Sequence, residues 1–194
     1  MKACSANRRI ILASASPRRR ELLAGLDLEF TVDTGNSFEE KVVPGTPARE
    51  VALQMAEGKS HGFHRALEDD EVLITSDTVV IVGDTVLGKP HDRDEAVSML
   101  KMLSGREHEV ISAAVIRDNA REVSFSDSTK VFFRELDDRE IDYYVDTYRP
   151  YDKAGAYGIQ EWIGYAAIGR IDGSFFTVMG FPVHRIHDEL KKFI

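Results

Sequence analysis

The apolar residues of this chain switch repeatedly between two spacings, and that alternation limits the fold more than any other feature. Ile10 to Leu12, Val72 to Thr75 and Val79 to Val82 are short apolar, largely β-branched runs of the kind that form buried strands. Between them lie helix-spaced segments with start and stop signals. Ser16 before Pro17 predicts an N-cap, with Leu22, Leu23 and Leu26 on one face. Pro47 to Phe63 carries Val51, Leu53, Met55 and Ala56, and Asp92 to Leu103 carries Ala96, Val97 and Leu100 before Gly105. Arg9 to Ala13 and Glu29 to Val32 read as strands, and Asp33 to Pro47 as a loop. Glu107 to Ile116 and Glu122 to Phe133 read as long strands turning near Asp118 and Asn119, and Asp137 to Val145 as a helix. Tyr165 to Ile171 and Phe175 to Val178 read as a hairpin around Asp172 and Gly173, and Pro182 to Phe193 as a last helix. Helices alternating with strands around a long-stranded middle predict an α/β fold with a mixed sheet. The first eight residues are expected to be a frayed tail. No repeat, linker or low-complexity segment marks a domain boundary, and 194 residues suit a single domain spanning 1–194 or two lobes sharing a core.

Composition narrows the functional classes. A net charge of -8 argues against a nonspecific nucleic-acid binder, which needs a broad basic surface to neutralise phosphates. One small polyanion held by a compact basic cluster is still allowed. No apolar run approaches the roughly 20 residues of a membrane helix, and the N-terminus lacks a signal-peptide pattern, so a cytoplasmic protein is expected. The single Cys4 excludes an internal disulfide and fits a reducing compartment.

Ser14-Ala15-Ser16-Pro17-Arg18-Arg19-Arg20 puts two hydroxyls and three guanidinium groups at a strand-to-helix turn. Free backbone N–H groups, the helix dipole and the Arg forks all favour an anion there. The alternative is a plain cap with solvated arginines. Neither a P-loop nor a dinucleotide fingerprint is present. Ser76-Asp77-Thr78 interrupts a strongly apolar stretch, and a carboxylate there needs a metal, a cation or a catalytic purpose unless it merely caps a turn. Glu39 and Glu40 are either a solvated acidic pair or oxygen ligands for Mg²⁺. Lys59 and Lys89, each taken alone, read as surface charges. Asp152 to Gln160 mixes charge, small residues and an aromatic ring without periodicity, as where backbone approaches a ligand closely or forms a structural turn. His61 with His64, and His184 with His187, lack the context of a metal site and read as structural, as does Trp162.

Together, L-A-S-A-S-P-R-R-R at Leu12 to Arg20, Glu39-Glu40, Lys59, S-D-T at Ser76 to Thr78, G-K-P at Gly88 to Pro90 and D-K-A-G-A-Y-G-I-Q at Asp152 to Gln160 resemble the Maf family of nucleoside triphosphate pyrophosphatases. The resemblance covers nearly the whole chain in order. It implies a mixed twisted sheet flanked by helices, in two lobes with a central cleft, similar to inosine triphosphate pyrophosphatases. It also implies a divalent cation (Mg²⁺ or Mn²⁺), a nucleoside triphosphate substrate, a homodimer, and cleavage between the α and β phosphates. Asp77 matches the family's general base. Arg18, Thr78 and Gln160 match positions that separate substrate subgroups, and here resemble the dTTP/UTP subgroup. Ser60 after Lys59 and the segment Glu161 to Gly164 depart from the common pattern. Within this assignment Ser14, Arg19, Lys59 and Lys89 neutralise phosphate oxygens, while Glu40 and Asp77 hold the metal. The Gln160 amide complements O4 and N3–H of uracil or thymine. Two alternatives are a nucleotide-binding regulator of cell division with incidental hydrolysis and a 7-methyl-GTP pyrophosphatase; Gln160 argues against the latter.

Overall fold

A computed structural model describes residues 8–194, so the expected tail lies almost wholly outside the described residues. Seven strands form one mixed sheet in the order β2-β1-β3-β5-β6-β7, with β4 beside β3. The strands are β1 (Arg9–Leu12), β2 (Phe30–Val32), β3 (Glu71–Val82), β4 (Thr85–Leu87), β5 (Glu107–Arg117), β6 (Glu122–Phe133) and β7 (Ile168–Asp172). The helices are α1 (Pro17–Ala24), α2 (Val51–His61), α3 (Arg93–Leu103), α4 (Asp138–Tyr148), α5 (Trp162–Ala167), α6 (Phe175–Met179) and α7 (Val183–Leu190). The chain gathers into two compact units, each drawn from separated segments.

The first unit comprises the chain up to Asp77, Ser112–Asp127 and Gly180–Ile194. Here β1 pairs in parallel with both β2 and β3, placing Ile11 beside Thr31 and Leu73. Parallel neighbours need crossover connections, which α1 and α2 supply. Ile11, Phe63, Leu67 and Leu73 form a buried cluster. Val72, Leu73 and Ile74 are wholly buried, as expected of a near-continuous apolar strand covered on both faces.

The second unit comprises Thr78–Ile111 and Ser128–Met179. The far half of β3 pairs antiparallel with β4 after a turn at Gly83, whose φ is 58°. The far half of β6 pairs antiparallel with β7, with Val131 opposite Ile171. Leu100 and Leu103 on α3 and Ile141, Tyr144 and Val145 on α4 are buried in its core. A reciprocal capping box starts α4: Asp137 accepts from the Glu140 N–H at 2.9 Å, and Glu140 accepts from the Asp137 N–H at 3.1 Å.

Most expected elements form within a few residues of the anticipated bounds, and Asp77 and Thr78 interrupt the burial of β3 without breaking the strand, while Ser76 is buried. The hairpin expected over Tyr165 to Val178 does not form. Its first part is split between α5 and β7, and its second part is α6. Short apolar runs carry too little periodicity to separate strand from helix. Pairing decides the outcome: β7 lies against β6, and the next segment turns away at Gly173 and buries Val178 and Met179 against the second core.

Candidate active site

The strand-to-helix turn after β1 is built around Ser16 and Arg19. Ser16 caps α1, its Oγ accepting from the Arg19 N–H at 3.4 Å, with Pro17 in the first turn. Ser14 is nearly buried, and its Oγ accepts from the Ser16 N–H at 3.3 Å and from Arg19 Nη1 at 3.5 Å. Arg19 also donates from Nη1 to the Ser76 carbonyl at 2.7 Å and from Nε to the Gly180 carbonyl at 2.9 Å. This guanidinium therefore ties α1 to the residue preceding Asp77. Burial pushes its pKa down from the ordinary value, against the pull of the Asp77 carboxylate. Arg18 is half-buried on the same turn of α1 and adds positive charge beside it.

Asp77 and Thr78 are the two half-exposed residues of an otherwise buried strand. Asp77 Oδ1 accepts from Lys59 Nζ at 2.6 Å, and Glu40 Oε1 lies 3.1 Å from the same Nζ. Lys59 comes from α2 and Glu40 from the loop before it, so three elements converge on one ammonium. The expected acidic pair is divided: Glu39 faces Lys41 at 2.6 Å with both side chains largely exposed. Of the sequence-expected residues, the first unit thus brings together Ser14, Arg19, Glu40, Lys59 and Asp77.

Two carboxylates that already meet at a cation are a donor set suited to a hard divalent ion. Among the described residues no three His, Cys, Asp or Glu side chains assemble into a ready metal cage. A Mg²⁺-type ion does not require one, because it keeps several waters and takes one or two carboxylates together with substrate phosphates. Glu40 and Asp77 fit that description.

The second unit holds Thr78, Lys89 and Gln160. Lys89 is exposed just beyond β4, next to a backbone bond from the Gly155 N–H to the Gly88 carbonyl at 3.0 Å. Gly155 has a φ of 67°, and a Cβ there would come within 2.9 Å of Val80, so both conformation and close approach require glycine. Gln160 Oε1 is buried and has no hydrogen-bond partner among the described residues. Such an atom in a native structure calls for a ligand or a cost.

Sequence reasoning missed what stands behind this loop. Tyr144 on α4 is wholly buried, donates to Glu161 and accepts the Gly158 N–H at 3.0 Å. His108 on β5 is buried with its Nε2 2.7 Å from the Tyr157 hydroxyl. Tyr144 sits at helical spacing from Ile141 and Tyr148, a face on which a phenol must find a partner, and that signal could have pointed to it. The histidine pairs are peripheral: His61 faces Glu122 at 2.9 Å and His64 faces Asp33 at 3.0 Å. Trp162 packs at the edge of the second core, edge-on to Tyr143.

The architecture, a mixed sheet flanked by helices, is an α/β fold shared with a solved protein of very different sequence. A HAM1 protein from Coxiella burnetii superposes with a TM-score of 0.50 over 95% of this chain and 99% of its own, at 15% identity. The Maf-like protein family matches residues 9–193, and the chain belongs to that family. Among its relatives, a dTTP/UTP pyrophosphatase of Porphyromonas gingivalis is 49% identical over 95% of this chain and 94% of its own length. Another of the same name, from Parabacteroides distasonis, is 47% identical over 95% and 96%. No helix among the described residues is long and apolar enough to cross a membrane.

Proposed function

We propose that this protein hydrolyses dTTP and UTP at the α–β bond, giving the nucleoside monophosphate and pyrophosphate. The observation that carries the reading is the convergence of Asp77 and Glu40 on Lys59, in a chain nearly half identical to relatives named dTTP/UTP pyrophosphatase. A triphosphate repels an anionic nucleophile, so the protein must neutralise its oxygens, position a water and remove that water's proton. Lys59 holds Oδ1 of Asp77, which fixes the carboxylate and leaves Oδ2 as the atom that takes the proton. Arg19 anchors the backbone at Ser76 and so sets the direction of the Asp77 side chain. Ser14, Arg19, Lys59 and Lys89 supply the positive and hydroxyl groups for phosphate oxygens. Glu40 and Asp77 would hold a divalent cation, which when bound supplies charge neutralisation at the phosphates. Gln160, with Arg18 and Thr78, reads the pyrimidine edge.

The reading extends to a cytoplasmic homodimer, which light scattering on the purified protein would check. The reaction is tested with a panel of nucleoside triphosphates and Mg²⁺, scoring pyrophosphate against orthophosphate. Stepwise release of orthophosphate, or a rate indifferent to chelation, would refute it.

A further inference from the structure

Behind Gln160 lies a buried polar relay that the proposed reaction does not use. Lys153, a residue 8% exposed, places its ammonium 3.0 Å from Glu161 Oε1 and 2.7 Å from Asp152 Oδ1. The other Glu161 oxygen accepts from the Tyr144 hydroxyl, which in turn accepts the Gly158 N–H at 3.0 Å. A phenol has one proton to donate, and here it goes to Glu161. Burial, and then the bond to the carboxylate, raise the Tyr144 pKa, so the hydroxyl stays protonated and the relay keeps one direction.

This relay grips the chain two residues before Gln160 and one residue after it. It also reaches the Gln160 side chain through Gly158. A Cβ at Gly158 would stand 3.0 Å from Gln160 Nε2, 3.0 Å from Lys153 Cε and 3.1 Å from Glu161 Cδ. The amide nitrogen therefore lies over the bare Gly158 backbone, beside the ion pair, while Oε1 is buried and unsatisfied. A free amide can flip and present either donor or acceptor, suiting uracil and cytosine alike, so selection requires that something hold it in one orientation.

We propose that Tyr144, Glu161 and Lys153 are positioning residues for base selection, holding Gly158 to Glu161 in the one conformation in which the Gln160 amide cannot turn over. The proposal rests on the reading that Gln160 contacts the base. Tyr144→Phe removes the hydroxyl alone, leaving the Gly158 N–H without its acceptor and Glu161 held by Lys153 only. Glu161→Gln keeps an acceptor for Tyr144 and removes the charge opposite Lys153, providing a second variant should the first fold poorly.

The experiment measures kcat/KM for UTP and CTP in the full-length wild type, Tyr144→Phe, Glu161→Gln and Gln160→Ala, together with hydrogen exchange at the Gly158 amide. Tyr144→Phe is expected to compress the UTP/CTP ratio about tenfold, through UTP, and to speed Gly158 exchange at least tenfold while core amides of β3 keep their protection. Glu161→Gln should fall between it and the wild type. A wild-type ratio in both relay variants, with compression in Gln160→Ala, overturns the positioning role and leaves the base reading intact. An unchanged ratio in Gln160→Ala removes the base reading, and the proposal falls with it. Gly158 exchange unchanged by Tyr144→Phe in a folded protein overturns the proposal by itself.

Discussion

In the unit that contains Asp77, opposite charges meet at one atom: Lys59 Nζ is 2.6 Å from Asp77 and 3.1 Å from Glu40, with the Glu40 side chain 59% exposed. In the unit that contains Gln160, the Lys153–Glu161 pair is largely buried, and beside it stands a neutral amide whose oxygen has no partner among the described residues. The difference follows from what each arrangement is suited to do. Under the proposed function the first cluster exchanges a cation and a proton, so it has to stay within reach of water, because burying unpaired charge is prohibitive. Under the proposed function Gln160 distinguishes two similar bases, which requires that it be held still, and buried, fully paired networks do that best.

The sharpest way to break this comparison is Asp77→Asn, which keeps the shape and removes the proposed base. Turnover should fall at least a hundredfold, the lower end of a general base's contribution, with the melting temperature little changed. Near-normal turnover in the folded variant would remove Asp77 from the chemistry, and loss of metal binding alongside activity would mark it chiefly as a ligand.

The buried side of the comparison can be read by pH. Burial pushes the His108 pKa down to about 4 from an ordinary 6.5, so the unfolded chain binds the proton more readily between those values. Stability contributed by neutral His108 is therefore present above about pH 6.5 and lost as pH falls towards 4, amounting to about 3 kcal/mol. Urea unfolding across this window should show the slope in wild type and a flatter one in His108→Phe. At pH 7 that variant loses about 1 to 3 kcal/mol, because the Tyr157 hydroxyl is left buried and unpaired. His108→Phe combined with Tyr157→Phe should recover most of the loss.

Gln160→Ala sharpens the contrast in function, lowering kcat/KM for UTP about tenfold more than for CTP while slow turnover of both persists. Equal losses would show that Gln160 organises its loop and does not read the base. The smallest effects should come from the helix starts: Asp137→Ala in the reciprocal box of α4 should cost about 1 kcal/mol, and Ser16→Ala, whose cap bond is a long 3.4 Å, somewhat less. Thermal melts would rank them through shifts of about 2 to 4 °C per kcal/mol.

Local signals alone determined a good part of this protein. The cap at Ser16, the helix starting after Asp92, the long strands from Glu107 and Glu122, and the polar interruption at Asp77 are written in nearest-neighbour chemistry, and each stands where its residues require. The pairing of Asp77 with Lys59 across 18 positions, and of Tyr144 with Glu161 across 17, was not legible. Neither pair lies on a common helix or strand, so no periodicity links its members. Tertiary structure likewise decided that Arg19 spends donors on the Ser76 and Gly180 carbonyls, and that the stretch after Gly164 splits into helix and strand. The physical reason is the same in each case. Capping and patterning depend on residues within a turn or two, whereas a buried charge, phenol or amide is satisfied by whatever the fold brings beside it, and the cost of leaving it unpaired makes that distant partner decisive.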